Sequence, residues 1–225
     1  MSNYNVHVIS TNRADIGLLY DLILLLESYE PIEPNVVFIG EISTEVSLID
    51  NIYPIKNKVF LGKGLKYSNI HNLIKQAKLL AIDYSKYIFT NNKPDFIICL
   101  GDRFELLSVL QVATMYRVPI VHIHGGDKTY GSLDNETRYA ITKLSKFHCT
   151  ANKEAKKNLI NCGEEEWRIK VVGAPGRDTL RRYKNLVKKE EFLDKFGIKA
   201  QRVAYVAYHP ETDKKKEHSI SKTVL

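Results

Sequence analysis

Short apolar runs that recur between helical segments constrain this 225-residue chain more than any other feature. The runs are NVHVIS (5–10), NVVFIG (35–40), KVFLG (58–62), DFIICL (95–100), PIVHIH (119–124), FHCTA (147–151) and IKVVG (169–173). The central ones are apolar at successive rather than alternate positions. Successive side chains of a strand point to opposite faces, so such a run is buried on both. A sheet covered on both faces is a parallel one.

The intervening segments agree. DIGLLYDLILLLESYE (15–30), SNIHNLIKQAKLLAIDYSKYIFTNN (68–92), FELLSVLQVATMY (104–116) and ETRYAITKLSK (136–146) carry apolar residues at helical spacing. Ser68 is the expected N-cap of the second, and Pro94 marks the end of its loop. Strand, helix and strand in repetition predict an α/β fold, a doubly wound parallel Rossmann-like sheet with right-handed crossovers. Ligands of that architecture bind beyond the carboxyl ends of the strands. Three polar loops fall there: STNRAD after the first strand, GDRFE after the fourth, and HGGDKTYGSLDNETR after the fifth.

Past residue 180 the composition changes. The charged stretch RRYKNLVKKEEFLDKFGIKAQ (181–201) reads as a linker or bridging helix, and RVAYVAYHPET (202–212) opens a further strand with a His-Pro turn. The expected organisation is a Rossmann-like catalytic half over 1–180, a connection over 181–201, and an incomplete start of a second domain over 202–225, since one strand and part of a helix cannot close a core.

Composition excludes several classes. No apolar run approaches the roughly 18 residues of a membrane helix, and the start MSNYNVHVIS has no signal-peptide regions, so a cytoplasmic protein without a membrane partner is expected. Cys99, Cys149 and Cys162 match no metal-ligand spacing and read as reduced thiols. The excess of 33 Lys and Arg over 26 Asp and Glu, a net +7, would suit a phosphate-bearing ligand, although most of the Lys sit on helix surfaces. No basic stripe carries stacking aromatics, so no nucleic-acid partner is expected. No G-x-G-x-x-G or G-x-x-x-x-G-K-[ST] occurs, and GKGLKYS (62–68) reads as a surface turn.

Each polar residue has a bland reading beside the chemical one. Asp102 could simply cap the helix that follows, and Arg103 and Glu105 could face solvent or pair with each other. His122 and His124 occupy alternate positions of a strand and would share a face, and His122 taken alone reads more readily as a hydrogen-bonded core residue. Asp127, Asp134, Glu136 and Arg138 could be loop charge and a capped helix start. Their shared location beside Asp102 favours chemistry. Arg13, where the first strand gives way to a helix, suits a phosphate or carboxylate.

Five stretches, STNRADIGLL (10–19), GDRFELL (101–107), PIVHIHGGDKTYGSLDNETRYAITKLS (119–145), VVGAPGRD (171–178) and YHPET (208–212), resemble the hydrolysing UDP-N-acetylglucosamine 2-epimerases of sialic and legionaminic acid synthesis. The non-hydrolysing sister family instead resembles HVEAG and PEEANR at HIHGG and LDNETR. The resemblance implies a GT-B-type pair of Rossmann-like domains with a UDP-sugar in the cleft between them, of which this chain holds the first and the start of the second.

It further implies that Asp102, Asp127 and Asp134 are catalytic acids, Asp127 standing at the Glu of an H-G-G-E sequence and Asp134 at an acid of I-D-D. Arg13 and His209 match contacts to the diphosphate, and Arg103, His124 and Arg138 are assigned to the substrate with them. Two positions depart from the family pattern: Asp127 is one methylene shorter than Glu, and Tyr139 replaces a His. The implied reaction removes the C2 proton of a UDP-amino sugar, expels UDP to leave a glycal, and adds water. It requires no redox cofactor and no metal. Clustered acids would raise one another's pKa, so that one holds a proton while another is ionised. The full-length form is expected to be a homo-oligomer. A binding-only remnant and a GT-B glycosyltransferase stay open as alternatives.

Overall fold

The computed structural model describes residues 3–40, 50–62, 69–129, 134–184, 188–199 and 203–204. The seven runs between residues 5 and 173 all form strands: β1 (Tyr4–Ser10), β2 (Ile32–Ile39), β3 (Lys58–Leu61), β4 (Phe96–Leu100), β5 (Ile120–Ile123), β6 (Phe147–Thr150) and β7 (Ile169–Val171). They make one parallel sheet in the order β3-β2-β1-β4-β5-β6-β7. The winding reverses between β1 and β4, which opens the crevice where doubly wound sheets bind ligands. The α/β expectation holds.

Helices α1 (Arg13–Ser28), α2 (Ile70–Tyr87), α3 (Phe104–Met115), α4 (Asp134–Leu144), α5 (Lys153–Asn161), α6 (Gly176–Lys184) and α7 (Lys189–Lys195) follow the strands or extend beyond them. Period-two alternation divides the core between two faces. Val6 and Val8 of β1, Val36 and Phe38 of β2, and Ile98 and Leu100 of β4 pack against Ile16, Leu19 and Ile23 of α1. On the other face Ile9, Val37, Ile39, Ile97 and Cys99 pack against Leu80 and Tyr84 of α2 and Leu106 and Leu110 of α3. Each such side chain contributes roughly 1.5–3 kcal/mol by leaving water. His7, fully buried on the second face, shares a 2.9 Å hydrogen bond between its Nδ1 and the Tyr84 hydroxyl.

One helix start differs from expectation. The N-cap of α2 is Asn69, whose side chain accepts from the Asn72 backbone N–H at 3.0 Å. Ser68, with most of the GKGLKYS stretch, lies outside the described residues. The helical pattern through residue 92 resolves into α2 and one π turn, Ile88–Asn92, ahead of Pro94. The three cysteines are free, and burial pushes the Cys99 and Cys149 thiols up from their ordinary values. Among the described residues no helix is long and apolar enough to cross a membrane.

Helix α6 runs through residue 180 and docks on α1. Arg182 ion-pairs with Asp21 at 3.0 Å, and its guanidinium lies 5.2 Å from the centre of the Tyr20 ring. Residues 205–225, including YHPET, lie outside the described residues.

Candidate active site

The three polar loops leave the carboxyl ends of β1, β4 and β5, which pair side by side. After β1, Asn12 caps α1 by accepting from the Asp15 N–H at 2.9 Å, and Arg13 is the first, exposed residue of the helix. Asp15 folds back to accept from the Thr11 backbone N–H at 3.1 Å and from the Thr11 hydroxyl. Burial raises the Asp15 carboxyl from its ordinary value, partly offset by the Thr11 hydrogen bonds and by the charge of Arg103. That last influence ties the β1 loop to the β4 loop. The contribution of Asp15 was missed in the sequence, although an Asn followed by an acid three residues on is a capping signature.

After β4, Gly101 takes a φ of +81° and Asp102 follows. Asp102 is not the cap of the helix that follows. The N-cap position of α3 belongs to Arg103, which makes no side-chain cap hydrogen bond, and the Asp102 carboxylate instead ion-pairs with the Arg138 guanidinium of α4. Arg103 and Glu105 do pair, at 3.0 Å, with the Glu105 side chain fully buried.

After β5 the outcome splits between the two histidines. His122 is fully buried, with Nε2 2.7 Å from the Gly101 carbonyl and Nδ1 3.3 Å from the Thr142 hydroxyl. A carbonyl only accepts, so Nε2 carries the proton and Nδ1 accepts from Thr142. Burial pulls its pKa down to about 4, only partly opposed by the Gly101 bond. It is a core histidine. The expectation that His124 shares its face fails, because β5 ends at Ile123 and His124 turns into the left-handed region with φ +63°. Its Nδ1 lies 3.1 Å from Asp127 Oδ2. Gly126, at φ +83°, admits no side chain: a Cβ there would overlap the Ala155 carbonyl oxygen.

Arg138 joins the loops. Its side chain is 8% exposed; Nη1 donates to the Asp127 carbonyl at 2.5 Å and to Asn135 Oδ1 at 3.3 Å, while Nη2 donates to Asp102 and to Thr129 Oγ1 at 3.3 Å. Burial lowers its pKa from the ordinary guanidinium value. Neither Thr129 nor Asn135 carried a sequence signal for this role. Asp134, the exposed first residue of α4, precedes Arg138 by one helical turn and so lies on the same side of that helix. Of the three acids, the Asp102 carboxylate and the Asp127 backbone carbonyl meet the Arg138 guanidinium, while Asp134 is placed only by its position on α4. Asp102 meets Arg138 and Asp127 meets His124. His209 lies outside the described residues.

A cavity of about 250 Å³ opens beside Asp127, lined also by Lys128, Asn152, Glu154, Ala155 and Asn158. Among the described residues no three His, Cys, Asp or Glu side chains converge as a metal site would require. The arrangement supplies acid/base groups on β4 and β5 and cations on α1 and the β4 loop, a set suited to removing a proton while an anionic group departs.

Comparison with known proteins supplies a family. A family model described as UDP-N-acetylglucosamine 2-epimerase matches residues 64–224. The Polysialic acid biosynthesis protein P7 of Escherichia coli is 30% identical over 208 residues, covering 91% of this chain and 53% of that protein. The UDP-N,N'-diacetylbacillosamine 2-epimerase (hydrolyzing) of Legionella pneumophila is 30% identical over 207 residues, covering 90% of this chain and 54% of its own. The chain spans about half the length of the curated relatives it matches. A crystal structure of UDP-GlcNAc 2-epimerase from Neisseria meningitidis bound to UDP-GlcNAc superposes with a TM-score of 0.72 at 18% identity, covering 85% of this chain and 53% of that one, a likeness of fold.

Proposed function

This chain belongs to the UDP-N-acetylglucosamine 2-epimerase family, and from that premise we propose that it is the N-terminal, catalytic part of a hydrolysing enzyme acting on UDP-GlcNAc or a UDP-diacetamido sugar. The reaction is C2 deprotonation with anti elimination of UDP, then addition of water to the glycal, giving N-acetylmannosamine or its analogue. One observation carries the reading: Arg138 links the Asp102 carboxylate to the Asp127 loop at the ends of adjacent strands. That linkage supports the reading, because a reaction at neighbouring carbons of one sugar requires acid/base groups delivered from neighbouring loops.

In this account Asp102, Asp127 and Asp134 form the acid/base set. Arg13, at the start of α1, and Arg103 face the departing diphosphate, with the N-terminus of α1 adding its partial positive charge. Arg138 serves the substrate by fixing the Asp102 carboxylate and the backbone of the Asp127 loop. His209 would bring a further cation from residues 202–225, the start of a second, UDP-binding domain joined through 181–201.

Acceptor-free release of UDP tests the proposal. UDP and N-acetylmannosamine from UDP-GlcNAc, or the corresponding products from the diacetamido sugar, support the epimerase. Release only when an acceptor sugar is added would mean a glycosyltransferase, and UDP binding with no release under either condition would mean a binding protein.

A further inference from the structure

We propose that His124 is the base that takes the C2 proton in this chain and that Asp127 is its positioning residue, an inference that rests on the epimerase reading and revises the role given there to Asp127. A non-glycine residue with positive φ is uncommon, and such strain collects where a side chain must be re-aimed. His124 has φ +63° in the first position beyond β5. Neighbouring strands hold its backbone there: His124 N–H donates to the Cys149 carbonyl at 3.0 Å, and Gly101 N–H donates to the Ile123 carbonyl at 3.0 Å. Continued as a strand, the chain would carry His124 onto the face where His122 is fully buried. The turn leaves its side chain 23% exposed, beside Asp127 at 34%.

The hydrogen bond fixes what the ring can do. The carboxylate of Asp127 accepts from Nδ1 at 3.1 Å, so Nδ1 carries the proton and Nε2 keeps a lone pair. A neutral imidazole backed by a carboxylate is a base whose conjugate acid is stabilised as it forms. Asp102 is less suited to this step, because its carboxylate is already engaged by the Arg138 guanidinium, and a neighbouring cation weakens a carboxylate as a base. The shortness of Asp127 then has a use. Drawn back by one methylene from the family's Glu, it meets His124.

The step balances without an oxidant. His124 Nε2 takes the proton from C2, the C2–H electron pair becomes the C1–C2 double bond, and the C1–O pair leaves with UDP. Water then supplies a hydroxyl to C1 and a proton to C2. Asp127 hydrogen-bonds His124 and His122 on β5 lies within reach of its charge, while Arg138 on α4 reaches the same loop through the Asp127 carbonyl and pairs with Asp102 after β4.

The test uses full-length protein, with UDP release from UDP-GlcNAc measured over a range of substrate concentrations. His124→Gln is expected to lower turnover at least about a hundredfold, the usual loss for a general base, with UDP affinity unchanged. Asp127→Asn is expected to lower kcat with the KM for UDP-GlcNAc within a few-fold of wild type, since the ring loses the carboxylate that fixes its tautomer; Asp127→Glu is expected to restore part of the rate. Wild-type turnover in Asp127→Asn, or a loss that Asp127→Glu does not relieve at all, overturns the positioning role. His124→Gln turnover within tenfold of wild type overturns the base, and because the two Asp127 variants are read separately, a His124 variant that fails to fold does not block the test. Wild-type protein that releases no UDP from either sugar overturns the parent reading instead.

Discussion

Arg138 of α4 closes an ion pair on Asp102 across 36 residues of chain, and the same guanidinium holds the Asp127 carbonyl at 2.5 Å. One buried cation therefore fixes the positions of two loops. If it is removed, the Asp102 carboxylate loses its partner in a site where its side chain is only 19% exposed.

Arg138→Met is expected to destabilise the protein by roughly 3 kcal/mol, the typical loss when one partner of a buried ion pair is deleted. Adding Asp102→Asn to that variant is expected to recover part of the loss, because no unpaired charge then stays buried. Urea denaturation of the two single variants and the double variant measures both. A double variant less stable than Arg138→Met alone would show that the pair is not the source.

Two glycines at the site have nearly the same backbone and different surroundings. Gly101 has φ +81° and open space, with nothing within 4 Å of the point a Cβ would occupy, whereas at Gly126, φ +83°, a Cβ runs into the Ala155 carbonyl. Gly101→Ala should lose only the left-handed penalty, about 1 kcal/mol. Gly126→Ala adds a backbone collision and should lose at least about 2 kcal/mol. Equal thermal shifts for the two would contradict the packing of α5 against this loop.

His122 predicts a pH dependence of stability. Its folded pKa, about 4, lies below the ordinary 6.5, so the unfolded chain binds the extra proton between those values. Stability is therefore full above pH 6.5 and falls as pH drops toward 4, by roughly 3 kcal/mol from this residue. His148, lowered chiefly by burial, acts in the same direction. His122→Gln is expected to flatten the slope of unfolding free energy over pH 6.5 to 4 without abolishing it. Protonation of the His122 ring near pH 6.5, followed by NMR, would contradict the buried tautomer.

The strands and the doubly wound order were legible in the sequence because burial on both faces leaves no polar alternation, as in DFIICL and NVVFIG. Arg13, Asp102 and Asp127 could be located because each follows a strand. What could not be read is pairing. That Asp102 meets Arg138 rather than its own helix N-terminus depends on how α4 returns to the sheet, and that His124 leaves the face of His122 depends on one backbone angle. Asn69 displaced Ser68 as cap because the two are adjacent and chemically equivalent, and only the backbone at the helix start distinguishes them.

The most direct measurement is acceptor-free UDP release from UDP-GlcNAc and its diacetamido counterpart by full-length wild type and Asp102→Asn, with UDP binding followed by calorimetry on the same samples. Release by wild type is expected, with its loss in the variant and UDP affinity within a few-fold of wild type. Undiminished release by Asp102→Asn would contradict a catalytic role for that carboxylate and, with it, the acid/base set built around Arg138.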